Sequence, residues 1–247
     1  MKTIGVIGGM SWESTVTYYQ HLNRLVRERL GGLHSASVIL NSLEFKEIAD
    51  YQMAGDWDNA TRLMVEAAQS LERAGADCLI IATNTMHKSA DAVTAAVNIP
   101  LIHIADVTAA AIKQAGCKRP LLLATRFTME QDFYRGHLRD HHGIEVAVPN
   151  EADRETVHRI IYEELCQGVV ETFSRDAYLQ VINREIAAGA DGVIFGCTEI
   201  GLLLSPQDLP GDPPVTAFDT TRLHAEAAVE FALDFAHKNR SSKAISA

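Results

Sequence analysis

The sequence predicts an α/β fold of two pseudo-symmetric lobes, each a parallel sheet flanked by helices. Three observations carry that expectation. Short apolar runs alternate with helical stretches along the chain. One segment occurs twice without a gap: Arg73-Ala-Gly-Ala-Asp-Cys-Leu-Ile-Ile-Ala-Thr83-Asn-Thr85 aligns with Ala187-Ala-Gly-Ala-Asp-Gly-Val-Ile-Phe-Gly-Cys197-Thr-Glu199. Each copy reads as a helix end, a glycine cap, a buried strand and a polar tip.

The elements follow in order. A strand is expected near Thr3–Ile7, a helix near Glu13–Glu28 and a strand near Ser37–Leu40. The stretch Trp57–Ala74 carries Leu63, Ala67, Ala68 and Leu71 on one face and predicts a helix. Strands near Leu79–Ala82 and Leu101–Ile104 follow, then a helix near Ala105–Ala115. In the second half, strands are expected near Leu121–Ala124, Glu145–Val148, Val193–Phe195 and Val215–Ala217. Helices are expected near Glu130–His141, Glu151–Gln167, Ser174–Ala188 and Thr220–His237.

The repeat extends beyond the tips. Lys2–Met10 and Lys118–Arg126 both run from a basic residue through a strand to a turn. The helices after them carry Tyr19-Gln-His-Leu22 and Tyr134-Arg-Gly-His-Leu138. Pro100-Leu-Ile-His-Ile-Ala-Asp106 matches Pro214-Val-Thr-Ala-Phe-Asp219 with one residue fewer. Two copies make two lobes rather than a solenoid. Lobe one is expected at 1–99 plus a return helix at 213–237, lobe two at 100–212, and a frayed tail at 238–247.

At 247 residues, with 47% hydrophobic and 22% charged residues, the chain suits an ordinary globular protein. A net charge of −10 argues against nucleic acid or an anionic membrane as the main partner. The start reads as a first strand rather than a signal peptide, and no apolar run is long enough to span a bilayer. The cytoplasm is the expected location. The four cysteines, Cys78, Cys117, Cys166 and Cys197, form no C-x-x-C pair, so neither a zinc knuckle nor a disulfide framework is expected. Cys78 and Cys117 read as buried small hydrophobes. Cys197 differs, lying in a polar tip after a strand, where ligands bind in parallel α/β architectures.

These tips, with the opening Gly8-Gly9-Met10-Ser11-Trp12-Glu13-Ser14-Thr15, resemble the aspartate/glutamate racemase family, and in particular its aspartate racemase branch. The resemblance runs nearly end to end, through Phe45–Ile48, Gly55-Asp-Trp57, Asn84-Thr85-Met-His87, Thr125 to Tyr134, Ile161–Glu164 and Gly196-Cys-Thr-Glu-Ile200. It implies two α/β lobes with one active site in the cleft between them, a homodimer, and racemisation of a small acidic amino acid with no cofactor and no metal. Two cysteines on opposite faces of the substrate Cα would do the work: one as thiolate removes the proton, and the other as thiol delivers one. The α-proton is very weakly acidic, so the carbanion needs electrostatic stabilisation away from water. A helix N-terminus would bring a cysteine below its usual pKa near ~8.5 and would bind carboxylates.

Two departures bear on the chemistry. The family's first cysteine is Thr83 here, and a hydroxyl is a far poorer base than a thiolate. The family often has a lysine four residues after the tyrosine that matches Tyr162, where this chain has Cys166. Arg126 or Gln52 is expected to compensate as a partner for the distal carboxylate. The catalytic pair is therefore Cys197 and Thr83. Substrate contacts are expected from Met10, Ser11, Gln52, Asn84, Thr85, Thr125, Thr128, Tyr162 and Thr198.

Plainer readings stand beside these. Gly8-Gly9 lacks dinucleotide spacing and is expected to let the backbone approach a carboxylate. Ser11 also suits a helix N-cap. Glu199 is expected to organise the Cys197 turn, His87 to be a packed helical histidine, His141-His142 a solvated turn and Cys166 structural. Because of Thr83, two alternatives remain: a single-cysteine decarboxylase or isomerase of a small dicarboxylate, and a non-catalytic binder of acidic amino acids.

Overall fold

The computed structural model describes the backbone of residues 1–243 and the side chains of residues 1–233. The chain divides into two compact units: Met1–Ala82 with Ser89–His103 and the chain from His224 onward, and Thr83–Lys88 with Ile104–Leu223. The expected tail at 238–247 lies outside the described residues in its side chains, and from 244 in its backbone as well.

Unit one contains β1 (Ile4–Gly8), α1 (Trp12–Leu30), β2 (Val38–Ser42), α2 (Phe45–Ala54), α3 (Trp57–Arg73), β3 (Cys78–Ile81) and α4 (Ala90–Ala96). Unit two contains α5 (Ile104–Ala115), β4 (Leu121–Leu123), α6 (Arg126–Glu130), α7 (Asp132–His142), α8 (Glu151–Glu163), α9 (Thr172–Ala187), β5 (Gly192–Phe195), α10 (Ile200–Leu203) and β6 (Thr216–Asp219). The last helix, α11 (Thr220–Lys243), begins in unit two and continues in unit one.

Each unit holds a three-stranded parallel sheet, ordered β2-β1-β3 in one and β4-β5-β6 in the other. The expected strands at Leu101–Ile104 and Glu145–Val148 shrink to single parallel bridges, Leu79 with Leu101 and Leu121 with Ala147. Pro100 has no N–H to give a ladder, and α5 starts at Ile104; Pro149 and the N-cap Asn150 end the other segment. With those bridges counted, the two sheets have the same four-position order, which is the sequence repeat in three dimensions.

The duplicated aspartates explain part of that likeness. In unit one Asp77 Oδ2 accepts the Thr3 N–H at 2.6 Å, and the Asp77 N–H donates to the Thr3 carbonyl at 2.8 Å. In unit two Asp191 accepts from the N–H groups of Lys118 and Arg119 at 2.7 and 2.8 Å. Each aspartate thus locks the start of a sheet's leading strand beside the strand that carries a polar tip.

Periodicity fixes the helices. In α3, Ala60, Met64, Ala67, Ala68 and Leu71 are buried, and Asp56 caps the start by accepting the Asn59 N–H at 3.2 Å. Four helices go beyond the sequence expectation: α2, capped by Glu44 on the N–H groups of Lys46 and Glu47, and the short α4, α6 and α10. Helix α2 buries only Ile48 and Gln52, too few positions to show an apolar period. The expected helices Glu130–His141 and Glu151–Gln167 are each broken, at Gln131 and at Glu164.

The cores are separate. In unit one, Ile4, Val6, Cys78 and Ile80 pack with Tyr18, Leu22 and Val26 of α1 and the small face Ala225, Ala228, Val229 and Ala232 of α11. In unit two, Leu121, Leu123, Val193 and Phe195 pack with Tyr134, Leu138, Ile160, Ile161, Tyr178 and Val181. Burying each large apolar side chain contributes roughly 1.5–3 kcal/mol. Cys78 is wholly inside, its thiol pushed up to about 12 by burial and then by Asp77. Among the described residues, no helix is long and apolar enough to cross a membrane.

Candidate active site

Thr83 and Cys197 each lie two residues beyond a four-residue buried strand, β3 and β5. Both belong to unit two, because Thr83–Lys88 leaves unit one at the end of β3. Asn84 Nδ2 donates to Thr220 Oγ1 at 3.0 Å, and Thr220 Oγ1 donates to the Phe195 carbonyl at 2.7 Å. One threonine hydroxyl thus couples the Thr83 turn to the end of the strand that carries Cys197. Thr220 has no forecast in the sequence beyond its place after the β6 tip. The other oxygen of that amide, Asn84 Oδ1, is buried without a hydrogen-bond partner. Such an acceptor costs about 1–3 kcal/mol when unmet, so it suits an incoming N–H donor.

The Thr83 turn is held by His87. The Ile104 N–H donates to Nε2 at 3.2 Å, so Nδ1 carries the ring proton and donates it to the Thr83 carbonyl at 2.8 Å. Sequence reading made His87 a packed helical histidine. It is buried, but in a 3-10 turn at Thr85–Ser89, where it caps α5 and fixes the backbone of the tip. Both ring nitrogens are committed, so the imidazole does not serve as a base for Thr83. The Thr83 hydroxyl makes no hydrogen bond among the described residues.

Thr85, Thr125 and Thr128 form a buried triangle of hydroxyls, with separations of 2.9, 3.2 and 3.2 Å. Thr125 also caps α6 by accepting the Thr128 N–H at 3.4 Å. Tyr162 is partly buried on α8, and burial pushes its phenol far above the usual range, so it is a neutral donor. Arg126 pairs with Glu155 at 3.6 Å, and its N–H donates to His158 Nδ1 at 3.2 Å.

The Cys197 tip is built around a carboxylate. Cys197 Sγ donates to Glu199 Oε2 at 3.0 Å, and Thr198 Oγ1 donates to the same oxygen at 2.7 Å. Cys166 Sγ reaches Glu199 Oε1 at 3.8 Å. Glu199 is 1% exposed and Cys197 8%. Burial pushes the Cys197 thiol well above its ordinary pKa, and the charges of Glu199 and Cys166 push the same way. This corrects the expectation that a helix N-terminus lowers it. The helix that follows, α10, spans only Ile200–Leu203, too short to carry much dipole.

Met10, Ser11 and Gln52 are buried in unit one. Ser11 caps α1, accepting the Ser14 N–H at 3.4 Å. Gly9, at φ +89°, is where a side chain is forbidden: a Cβ would lie 2.2 Å from the Leu43 carbonyl oxygen. The glycine pair therefore lets two chain segments approach each other, where sequence reading gave that space to a carboxylate. His142, expected in a solvated turn, ends α7 and shares Asp106 Oδ1 with His137, at 2.7 and 2.6 Å.

The two units thus repeat one parallel arrangement, with a buried thiol at one strand tip and a threonine at the other. Residues 7–228 match the Asp/Glu/hydantoin racemase family. The chain belongs to that family. Its members are amino-acid racemases, which are isomerases. A candidate Asp/Glu racemase from Yersinia pestis is 55% identical, with a TM-score of 0.85 over 94% of this chain and 100% of that one. An aspartate racemase homologue from Pyrococcus horikoshii is 36% identical, with a TM-score of 0.79 over 94% and 99%. A broad-specificity amino-acid racemase, RacX of Bacillus subtilis, is 20% identical over 81% of this chain and 87% of its own.

Proposed function

We propose that the chain racemises acidic amino acids, aspartate, glutamate or both, with Cys197 removing the Cα proton, preferentially from the L antipode, and Thr83 at the opposite position. The observation that carries this reading is the inequality of the tips. Cys197 has a carboxylate within hydrogen-bonding reach of its sulfur, whereas the Thr83 hydroxyl has no such base among the described residues. In two-cysteine relatives the second-half cysteine serves the L antipode, so the reactive half that remains here is the L half.

The substrate contacts follow the chemistry. The unpartnered Asn84 Oδ1 suits the substrate ammonium group, and the hydroxyls of Thr85, Thr125 and Thr128 suit a carboxylate. Tyr162 and Thr198 add neutral donors. Met10, Ser11 and Gln52 stay substrate contacts on the strength of the family motifs alone. Those motifs also support a cytoplasmic homodimer that works without pyridoxal phosphate or metal.

The test is incubation with each enantiomer of aspartate and glutamate in deuterated water. A racemisation equilibrium constant of one limits net conversion, so exchange is the sensitive readout. L substrate should take up Cα deuterium faster than D product appears, and D substrate should exchange more slowly. Equal exchange from both antipodes would overturn the L preference. Decarboxylation, or binding with no exchange at all, would overturn the racemase reading.

A further inference from the structure

We propose that Glu199 holds the proton of Cys197 during catalysis, so that the thiolate forms by transfer to the neighbouring carboxylate rather than by release to solvent. This deepens the proposed function and rests on Cys197 being the base. Three observations lead to it. Glu199 occupies the N-cap position of α10, yet its side chain makes no cap hydrogen bond there. The carboxylate instead turns back onto the thiol and the Thr198 hydroxyl, at 3.0 and 2.7 Å, on one oxygen. Both residues are buried, where an isolated second anion beside the first is strongly disfavoured.

The groups facing this pair leave Glu199 as its acceptor. Cys166 approaches the other oxygen from the 3-10 turn after α8, with its own thiol hydrogen to give. Tyr162 on α8 and Tyr178 on α9 are pushed far above the usual phenol range by burial and remain neutral, and Tyr178 donates to the Val157 carbonyl. Charge balance follows. The S–H bond breaks with its electron pair on sulfur, and an O–H bond forms at Oε2. The thiolate lone pair then takes the Cα proton, and the Cα–H pair moves into the substrate carboxylate. The site carries one negative charge beforehand and passes that charge to the substrate. The neutral thiol and carboxylic acid left behind do not repel the carbanion. Glu199 is thus a positioning residue, acting through Cys197.

The experiment reads Cα-deuterium exchange of the L substrate from pH 6 to 8, and Cys197 alkylation by iodoacetamide, followed peptide by peptide, across the same range. Internal transfer makes wild-type exchange nearly flat with pH. Glu199→Gln keeps the shape but cannot take the proton, so its exchange should rise about tenfold per pH unit, as bulk deprotonation requires. Alkylation reads the same thiolate, so in the free protein it should be nearly flat with pH in wild type and rise about tenfold per pH unit in Glu199→Gln. Glu199→Asp should restore a flat profile at a lower rate. A wild-type profile that climbs tenfold per unit, or Glu199→Gln with unchanged profile and unchanged alkylation, overturns the proposal. Should wild type show no exchange at all, the racemase reading fails, while the alkylation difference still reports whether Glu199 controls the thiol.

Discussion

The two strand tips share a scaffold and differ in chemistry. At each, an aspartate locks the leading strand, a four-residue parallel strand runs buried to its end, and the tip residue, Thr83 or Cys197, stands two positions on. At the β3 tip the neighbouring polar group, His87, is spent on backbone: it secures the Thr83 carbonyl and the start of α5. At the β5 tip the neighbouring polar group, Glu199, is spent on the reactive sulfur itself. Duplication fixed where the two tip residues stand. On the proposed reading, the side chains two and four residues further on set which of them acts as a base.

The largest effect expected from this inequality comes from Cys197→Ala. Loss of the sulfur should cut Cα exchange at least a thousandfold, about 4 kcal/mol of transition-state stabilisation. Circular dichroism and thermal unfolding should stay near wild type, because the side chain is small and lies at the edge of its core. Substantial exchange in that variant would break the comparison at its root, since Cys197 would then not be the base.

A smaller effect should come from Thr83→Cys, which makes the two tips alike in residue type. Exchange from the D antipode should rise by tenfold or more, each tenfold being about 1.4 kcal/mol, while exchange from the L antipode changes little. The gain should stay short of full symmetry, because no carboxylate sits on a sulfur at position 83 as Glu199 does at 197. No gain for D substrate would show that the hydroxyl is not the limiting group.

Much of this comparison was legible in the sequence, for a physical reason. The strands, the glycine caps and the Asp77 and Asp191 positions depend on residues within one segment, and a duplicated segment states them twice. What escaped sequence reading depends on partners far apart in the chain. Thr220 joins Asn84 to Phe195 across 136 residues on one side. Thr83–Lys88 groups with unit two because the partners of Asn84, Thr85 and His87 lie there. Glu199 was placed in the right turn, but the direction of its carboxylate is a rotamer, which no local pattern announces. The raised pKa of Cys197 follows from burial first and then from that rotamer, so no local pattern announces it either.

The smallest effect sharpens the scaffold side of the comparison, by asking whether the two anchoring aspartates are equivalent. Asp191 accepts from the Cys117 thiol at 2.9 Å as well as from two backbone N–H groups. Burial raises its pKa, but the hydrogen bonds from Cys117, Lys118 and Arg119 outweigh that and hold it below the usual carboxylate value. A carboxylate depressed in the folded state binds fewer protons there than in the unfolded chain. Its stabilisation is therefore complete above the unfolded pKa, near ~4, and is lost as pH falls through the lower folded value. Asp191→Asn should cost about 1 kcal/mol at pH 7, below the usual range for hydrogen bonds to a charged group because the site is solvent-exposed and the amide oxygen still accepts. The same change should cost less at pH 3, below the unfolded value, and progressively less as pH falls through the lower folded value, where the wild-type carboxylate is itself being protonated. Asp77→Asn takes the charge from the matching contact to the Thr3 N–H and should show a loss of similar size at pH 7. Urea unfolding of both variants at pH 7 and pH 3 measures this directly. A pH-independent loss for Asp191→Asn would mean that the anchor works through shape alone. A loss at one site only would mean that the repeat has kept its geometry in both units while leaving the energetic work to one.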